Sequence, residues 1–394
     1  MINTSDISFV LFASVIILLM TPAVAFFYAG LVEKKYVNTM LVQNFFAIPL
    51  ITLVWAIFGF SLAYGDSILG GFIGGGTFFF LQGVTAEANS VIAPNIPFAL
   101  FFVMQATFAI ITPALMIGAL VGRFRFPAFV LFFIFWSLLV YSPLIHWVWG
   151  GGFLSKMGYF DFAGGLPVHL IAGFSALAAA IAIGPRKNPH DGPCNLVYVS
   201  IGVGILWAGW LVFNASATMS ANGIAALVAL NTMIASGSGC IAWGLLAYWQ
   251  NKKYTFVDLL FGAFAGLVIS TPTSGFVSPW VMIPAGAIGA TICYCAAAFR
   301  VKKGWDDTLD VWALHGVGGF VGVLLLGIFA NPLYAPAAGL AYGNPIQLLI
   351  EAGGLVIGTT YCFVVTFILV KAINHFVPFR NKDDAPDYFG IPEE

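Results

Sequence analysis

Long apolar runs alternate with short polar ones along the whole chain. The first, 7–32, carries no charge and ends at Glu33-Lys34-Lys35, and the next begins at 39. A membrane-spanning helix needs roughly 20 predominantly apolar residues. By that measure eleven segments qualify: 7–32, 39–63, 96–121, 126–148, 162–184, 196–217, 221–249, 256–273, 279–299, 309–330 and 346–373. The eighth is short and Gly-rich, the weakest of the set. The pattern predicts an all-α polytopic membrane protein.

Basic residues test this count, because they concentrate in cytoplasmic loops. With the N-terminus outside, the inner loops and tail hold Lys34, Lys35, Arg123, Arg125, Arg186, Lys187, Lys252, Lys253, Arg300, Lys302, Lys303, Lys371, Arg380 and Lys382. The outer loops hold only Lys156. One misplaced span would scramble this division, so it supports an N-out, C-in topology. No basic residue precedes Lys34, which argues against a cleavable signal peptide. The long outer loops 64–95 and 331–345 lack Lys and Arg. Their GGFIGGG stretch (70–76) is not followed by Lys-Ser or Lys-Thr and is no phosphate loop. Residues 1–380 read as one membrane domain, and 381–394 as an acidic cytoplasmic tail that is weakly ordered unless it docks.

Composition agrees: 60% of the 394 residues are hydrophobic and 8% charged, against about 25% charged in soluble domains. Mean hydropathy is +0.97. A net charge of -1 supplies no basic field for nucleic acid. Five cysteines form neither a disulfide framework nor a zinc pattern, and Cys293 and Cys295 read as packing.

Two spans are unusual. DFAGGLPVHLIAGFSALAAAIAIG (161–184) and DVWALHGVGGFVGVLLLGIF (310–329) each open on an aspartate and bury a histidine, His169 and His315. They are the fifth and tenth spans. An odd offset of five implies two halves inverted in the membrane, with the eleventh span outside the repeat and a site between the halves. An ionisable residue inside a span normally faces a cavity or a partner. A metal site would need further ligands, and a proton pump a deep carboxylate. Asp161 and Asp310 instead sit where helix N-caps belong. There remain a pair of neutral, hydrogen-bonding rings in an apolar pore, or a purely structural pair. His146, beside Trp147 and Trp149, reads as an interfacial imidazole satisfied by its neighbours; His190 and His375 read as surface groups. Trp149 and Phe108 lie near the outer mouth, where aromatic faces attract a small cation.

FYAGL (27–31), QATFAIITPALMIGAL (105–120), HWVWGGG (146–152), DFAGGLPVHL (161–170), GWLVFN (209–214), STPTSGF (270–276) and DVWALHGVGG (310–319) occur in the order found in the Amt/Mep/Rh ammonium transporters. The chain resembles that family from FYAGL to the last span. The resemblance implies a homotrimer of eleven-helix protomers in the cell membrane, each with its own pore between inverted five-helix halves. It implies an ammonium recruitment site at Trp149 and Phe108, a gate of Phe108 and Phe213, pore histidines His169 and His315, and a structural role for Asp161 at the outer mouth. It implies no cofactor and no metal.

Three departures stand out. The family's outer-site serine corresponds to Ala217 in FNASATMSAN (213–222), with Ser216 adjacent; a hydroxyl on a cation is worth about 1.5–3 kcal/mol. Val121-Gly122-Arg123 replaces the family's Ala-Glu-Arg. The tail ends IPEE after Gly390, without the family's His-Gly-Glu element, and the loop PRKNPHDGPCN (185–195) is short. Those inner features often receive a PII-type regulator, so that partner is not expected. Two functions follow: ammonium-selective transport first, and second the ammonium-sensing membrane part of a signal transducer whose output domain would follow residue 394. The histidines favour conduction, and Ala217 and the altered inner face favour sensing. An enzyme ranks far behind both, for want of an activated nucleophile or metal cluster.

Overall fold

A computed structural model describes residues 2–187, 192–387 and 389. Among the described residues, eleven helical segments are long and apolar enough to cross a membrane. In order, spans 1 to 11 are Thr4–Leu31, Lys34–Tyr64, Phe98–Ala119, Phe126–Lys156, Gly165–Ile183, Leu196–Thr218, Gly223–Asn251, Phe256–Thr273, Pro279–Lys303, Trp312–Phe329 and Pro345–Phe376. The short eighth is a full helix. In lipid every backbone polar group needs an internal partner, which confines spanning segments to helices. The sequence also caps them. Asn195 accepts from the N–H groups of Val197 and Tyr198, and Asn222 from Ile224 and Ala225. Thr255 and Asp258 form a reciprocal capping box. Spans 3 and 5 are the most enclosed, and spans 1, 6, 7, 9 and 11 show apolar side chains to the outside.

Spans 5 and 10 cross at the centre, and glycines make the crossing possible. A Cβ on Gly173 would overlap the backbone of Gly316. A Cβ on Gly319 would lie 2.5 Å from the Gly165 carbonyl and 3.2 Å from His169 Cβ. Gly173 and Gly319 each lie four residues beyond the histidine of their own span, so the closest approach falls beside both imidazoles. Both histidines also sit in wide π-helical turns, Gly165–Leu170 and Trp312–Val317. Such turns recur at functional sites.

The caps of these two spans correct the sequence reading. Asp161 does cap span 5. Its carboxylate accepts from the N–H groups of Gly164 (2.8 Å), Gly165 (2.9 Å) and Leu166 (2.6 Å). Asp310 does not cap span 10. Asp307 does, accepting from Val311 (3.1 Å) and Trp312 (2.6 Å), while Asp310 pairs with Arg300 at 2.6 Å. Asp161 and Asp307 each precede their histidine by eight residues, so the true repeat is Asp, then His, then Gly in one register. Asp310 drew attention by opening the apolar run; the cap lies one polar turn earlier.

The basic end of the bundle is closed by an ion network. Arg123 is fully buried and donates to the carbonyls of Gly184, Ala119 and Asp306. Asp306 pairs with both Arg186 and Arg123. Burial alone would raise its carboxyl, but Arg186 and Arg123 hold it below the usual carboxylate range. Its contribution is therefore present at neutral pH and lost as acid protonates it. Gly122 has φ +72°, and a Cβ there would meet the Tyr36 hydroxyl at 2.8 Å, so Tyr36 packs directly against this turn. Tyr36 in turn donates to the Asp384 carbonyl.

Far from trailing loosely, the described part of the tail docks. The Asp384 carboxylate accepts from Arg380 and the Lys187 N–H, and Asp387 from the Phe126 N–H. His375 is exposed, as expected, while His190 and the segment 390–394 lie outside the described residues. At the other end, 64–97 folds into two small antiparallel hairpins.

The glycine crossing gives a direct test. Gly173→Val should destabilise the protein by roughly 1–3 kcal/mol or more, the range for overpacking. Gly204, on span 6, has open space around it. Gly204→Val is the control, and thermal unfolding in detergent should leave it near the parent.

Candidate functional site

A vestibule of about 560 Å³ opens at the end of the bundle opposite the ion network. Span 3 contributes Met104, Gln105 and Phe108 to its wall; Trp149, Asp161 and Ala217 complete the side nearest the pore. Asp161 organises this wall twice. Its carboxylate caps span 5, and its own carbonyl accepts the Trp149 indole N–H at 3.0 Å. Trp149 is thereby held edge-on to Phe108, ring centres 6.2 Å apart. The Asp161 carboxylate is sheathed by three backbone N–H groups.

Phe108 and Phe213 close the floor. Both are about 1% exposed, and their ring centres are 4.3 Å apart. Below them lies an enclosed apolar gap of about 10 Å³, on the scale of one small molecule, bordered by His169, Trp210 and His315. The rings form a continuous column. Phe213 is 6.1 Å from His169, and His169 stacks on His315 at 5.3 Å. Trp210 lies flat against His169, 5.1 Å away at 19°. The two imidazoles approach through their Nδ1 atoms, 3.3 Å apart. His169 Nε2 lies 3.2 Å from the Thr271 hydroxyl.

The chosen residues did not all converge. Phe108, Trp149, Asp161 and Ala217 border the vestibule, and Phe213, His169 and His315 border the gap beneath it. Ser216 borders neither. Its hydroxyl is buried and donates to the Phe213 carbonyl at 3.0 Å, because the short turn 216–218 folds it back onto the preceding helix. Ala217, the next residue, takes the place at the wall. His146 is also off the path: Nδ1 meets the Ala63 carbonyl and Nε2 the Ser67 hydroxyl.

Four residues escaped sequence reasoning. Met104 and Gln105 flank the vestibule, and Trp210 and Thr271 hold His169. All but Met104 fall inside quoted motifs, QATFAIITPALMIGAL, GWLVFN and STPTSGF, yet only tertiary contact distinguishes them from ordinary packing. Glu351 is a fifth surprise, a buried carboxyl in span 11. It accepts from the Phe160 N–H and from Gln347, whose amide also reaches the Gly158 carbonyl. The pair clamps the strand of chain leading to Asp161. Among the described residues, no group of three or more His, Cys, Asp or Glu could hold a metal.

The Ammonium Transporter Family model matches residues 8–388. The chain belongs to the ammonium transporter family. It is 38% identical over 386 residues to the ammonium transporter of Bacillus subtilis (strain 168), covering 96% of this chain and 94% of that one. It is 37% identical to ammonium transporter Amt1 of Archaeoglobus fulgidus, covering 99% and 97%. The fold superposes on the crystal structure of Saccharomyces cerevisiae Mep2 with a TM-score of 0.91 at 30% identity, covering 98% and 88%. A solved structure described as a sensor Amt protein gives 0.89 at 27% identity, covering 96% and 95%. As a member of this family, the chain is a multi-pass protein of the plasma membrane.

Within this family member, Asp161→Ala should cost about 0.5–2 kcal/mol, the range for a lost N-cap, because three N–H groups lose their acceptor. By loosening the turn at 161–165 it should also shift the Asp161 main-chain carbonyl that accepts the Trp149 indole. Thermal unfolding reads the first effect and Trp fluorescence the second. Asp310→Asn should leave the fluorescence unchanged.

Proposed function

We propose that the chain conducts ammonium selectively across the membrane, by recruiting the cation and passing it as ammonia and a separate proton. The observation that carries this reading is the unbroken column from the Trp149–Phe108 wall through Phe213 to His169 and His315. The vestibule faces outward and the ion network faces the cytoplasm, in keeping with the division of basic residues and with the N-terminus outside. Three protomers assemble in the bilayer as in the family, each with its own pore.

The physics follows from the order of the parts. A small cation gains about 0.5–1 kcal/mol over an exposed aromatic face and roughly 2 when desolvated. The floor of Phe108 and Phe213 then opposes a bare charge by at least ~2.5–3.5 kcal/mol. Potassium, similar in size to ammonium, cannot shed that charge. Ammonium can release a proton and cross as a neutral molecule that still donates hydrogen bonds. The imidazoles below offer nitrogen partners in a space where water is nearly absent. Asp161 supports Trp149 and does not bind the ion itself.

Ammonium sensing with little conduction is the second reading. Ala217 favours it, since the vestibule wall lacks the hydroxyl expected there, and a sensor Amt protein is among the similar structures. The Gly122 turn and the docked tail change the inner face, so a PII-type regulator is not assigned.

Proteoliposomes adsorbed on a solid-supported membrane should give a saturable ammonium-evoked current that His169→Ala/His315→Ala abolishes. A stopped-flow pH assay on the same vesicles covers electroneutral passage. Silence in both assays, with ammonium binding retained by calorimetry, would replace transport with sensing. Separately, Ala217→Ser should lower the half-saturating ammonium concentration roughly tenfold, the effect of about 1.4 kcal/mol from one hydrogen bond to a cation. An unchanged value would mean the added hydroxyl does not reach the bound ion.

A further inference from the structure

We propose that Thr271 is a positioning residue that fixes the tautomers of the histidine pair, making His315 Nε2 its free hydrogen-bond acceptor. The inference deepens the transport reading and rests on it for its functional meaning, but not for its structural content.

The argument is an accounting of protons around one oxygen. Thr271 Oγ1 has three close partners: the Trp210 indole nitrogen at 3.0 Å, His169 Nε2 at 3.2 Å and the Leu267 carbonyl at 3.1 Å. An indole N–H can only donate, and a carbonyl can only accept. A hydroxyl has one proton to give and two lone pairs to receive. If Thr271 donates to Leu267, it accepts from Trp210 and still has a lone pair for His169 Nε2–H. All three contacts are then hydrogen bonds. If Thr271 instead donates to His169, the Leu267 contact is lost and only two remain. The first arrangement satisfies more of this buried cluster, in which Thr271 is fully buried and His169 2% exposed.

That choice propagates. With its proton on Nε2, neutral His169 has a bare Nδ1. The 3.3 Å contact between the two Nδ1 atoms then requires His315 to donate from Nδ1. Neutral His315 is left with a bare Nε2, which has no partner among the described residues and borders the enclosed gap through its ring. The pair is therefore directional. His169 is anchored by Thr271, and His315 presents the lone pair that can accept an N–H of ammonia. Trp210 serves both ends of the device, stacking on the His169 ring and donating to the same hydroxyl.

The STPTSGF motif is built to keep this hydroxyl in place. The carbonyls of Thr271 and Pro272 accept from Ala163 and Phe162 in the Asp161 turn. The Pro272 ring packs between Gly165 and Gly322, where a Cβ would come within 2.6 and 2.8 Å. Ser270 accepts from Asn214, next to Phe213. The end of span 8 is thus pinned to spans 5, 6 and 10 at once.

The test uses the full chain in lipid with ¹⁵N-labelled histidine. Nitrogen NMR distinguishes protonated from bare ring nitrogens, and His169→Ala and His315→Ala assign the signals. The expected parent pattern is His169 protonated at Nε2 and His315 at Nδ1. Thr271→Val should mix or reverse this pattern, and Thr271→Ser should restore it. In the current assay, Thr271→Val should lower the maximal rate roughly tenfold with little change in half-saturation, since the vestibule is untouched, and Thr271→Ser should recover it. A parent His169 protonated at Nδ1, or an unchanged pattern in Thr271→Val, overturns the proposal. The spectra decide it even if the parent carries no current, and Thr271→Ala supplies the hydroxyl-free comparison if Thr271→Val fails to fold.

Discussion

Spans 5 and 10 approach to the width of a glycine, and the rest of the structure depends on that contact. Two imidazoles placed on separate membrane helices would each need a polar partner in a medium that supplies none. Gly173 against Gly316, and Gly319 against the start of span 5, bring the backbones close enough for the rings to meet through their Nδ1 atoms. Both rings sit in widened turns, and the aspartate caps collect the free N–H groups at the start of each helix. Small residues, wide turns, caps and histidines are therefore one solution to one problem, repeated with opposite polarity in the two halves.

The pore inherits its character from that solution. Below the Phe108–Phe213 floor, on the proposed reading, His169 is already engaged with Thr271 and His315, and the one remaining imidazole lone pair gives little reward to a fully charged ion. A bare cation would need to strip its water and gain almost nothing in return, whereas a neutral hydrogen-bonding molecule loses less and finds a nitrogen partner. Selection on this view comes from the chemistry of proton loss, and the dimensions of the pore are secondary. On the proposed reading, the vestibule concentrates the cation and the column below decides which form continues.

Much of this was legible in the chain. The spans could be counted from apolar runs because lipid requires long uninterrupted ones, and His169 and His315 announced themselves by being ionisable in the middle of such runs. What misled was local context. Asp310 stands where an apolar run starts, but a wide turn takes its cap from further back, at Asp307. Ser216 carries the right chemical group, yet a short turn directs it at the Phe213 carbonyl. Trp210 and Thr271 look like ordinary interior residues, because their importance lies in partners 61 positions apart in the chain. Residue type and spacing reveal which groups are costly to bury; they do not reveal which neighbours receive them.

The two ends of the path also divide the work differently from what the motifs alone imply. At the vestibule, Ala217 offers no side-chain oxygen, and Gln105 Oε1 is buried without a partner among the described residues. On the proposed reading, recruitment then falls on the Trp149 and Phe108 faces and on the Gln105 carbonyl oxygen. An aromatic face attracts any small cation, so such a site concentrates ammonium without distinguishing it sharply from potassium. An imidazole lone pair is first met beyond the floor, at the histidine pair. If discrimination is to occur anywhere along this column, it must occur after recruitment, where a lone pair rather than an aromatic face meets the molecule that has arrived. That is also where the structure has invested its buried polar contacts, in the anchored His169 and the open nitrogen of His315.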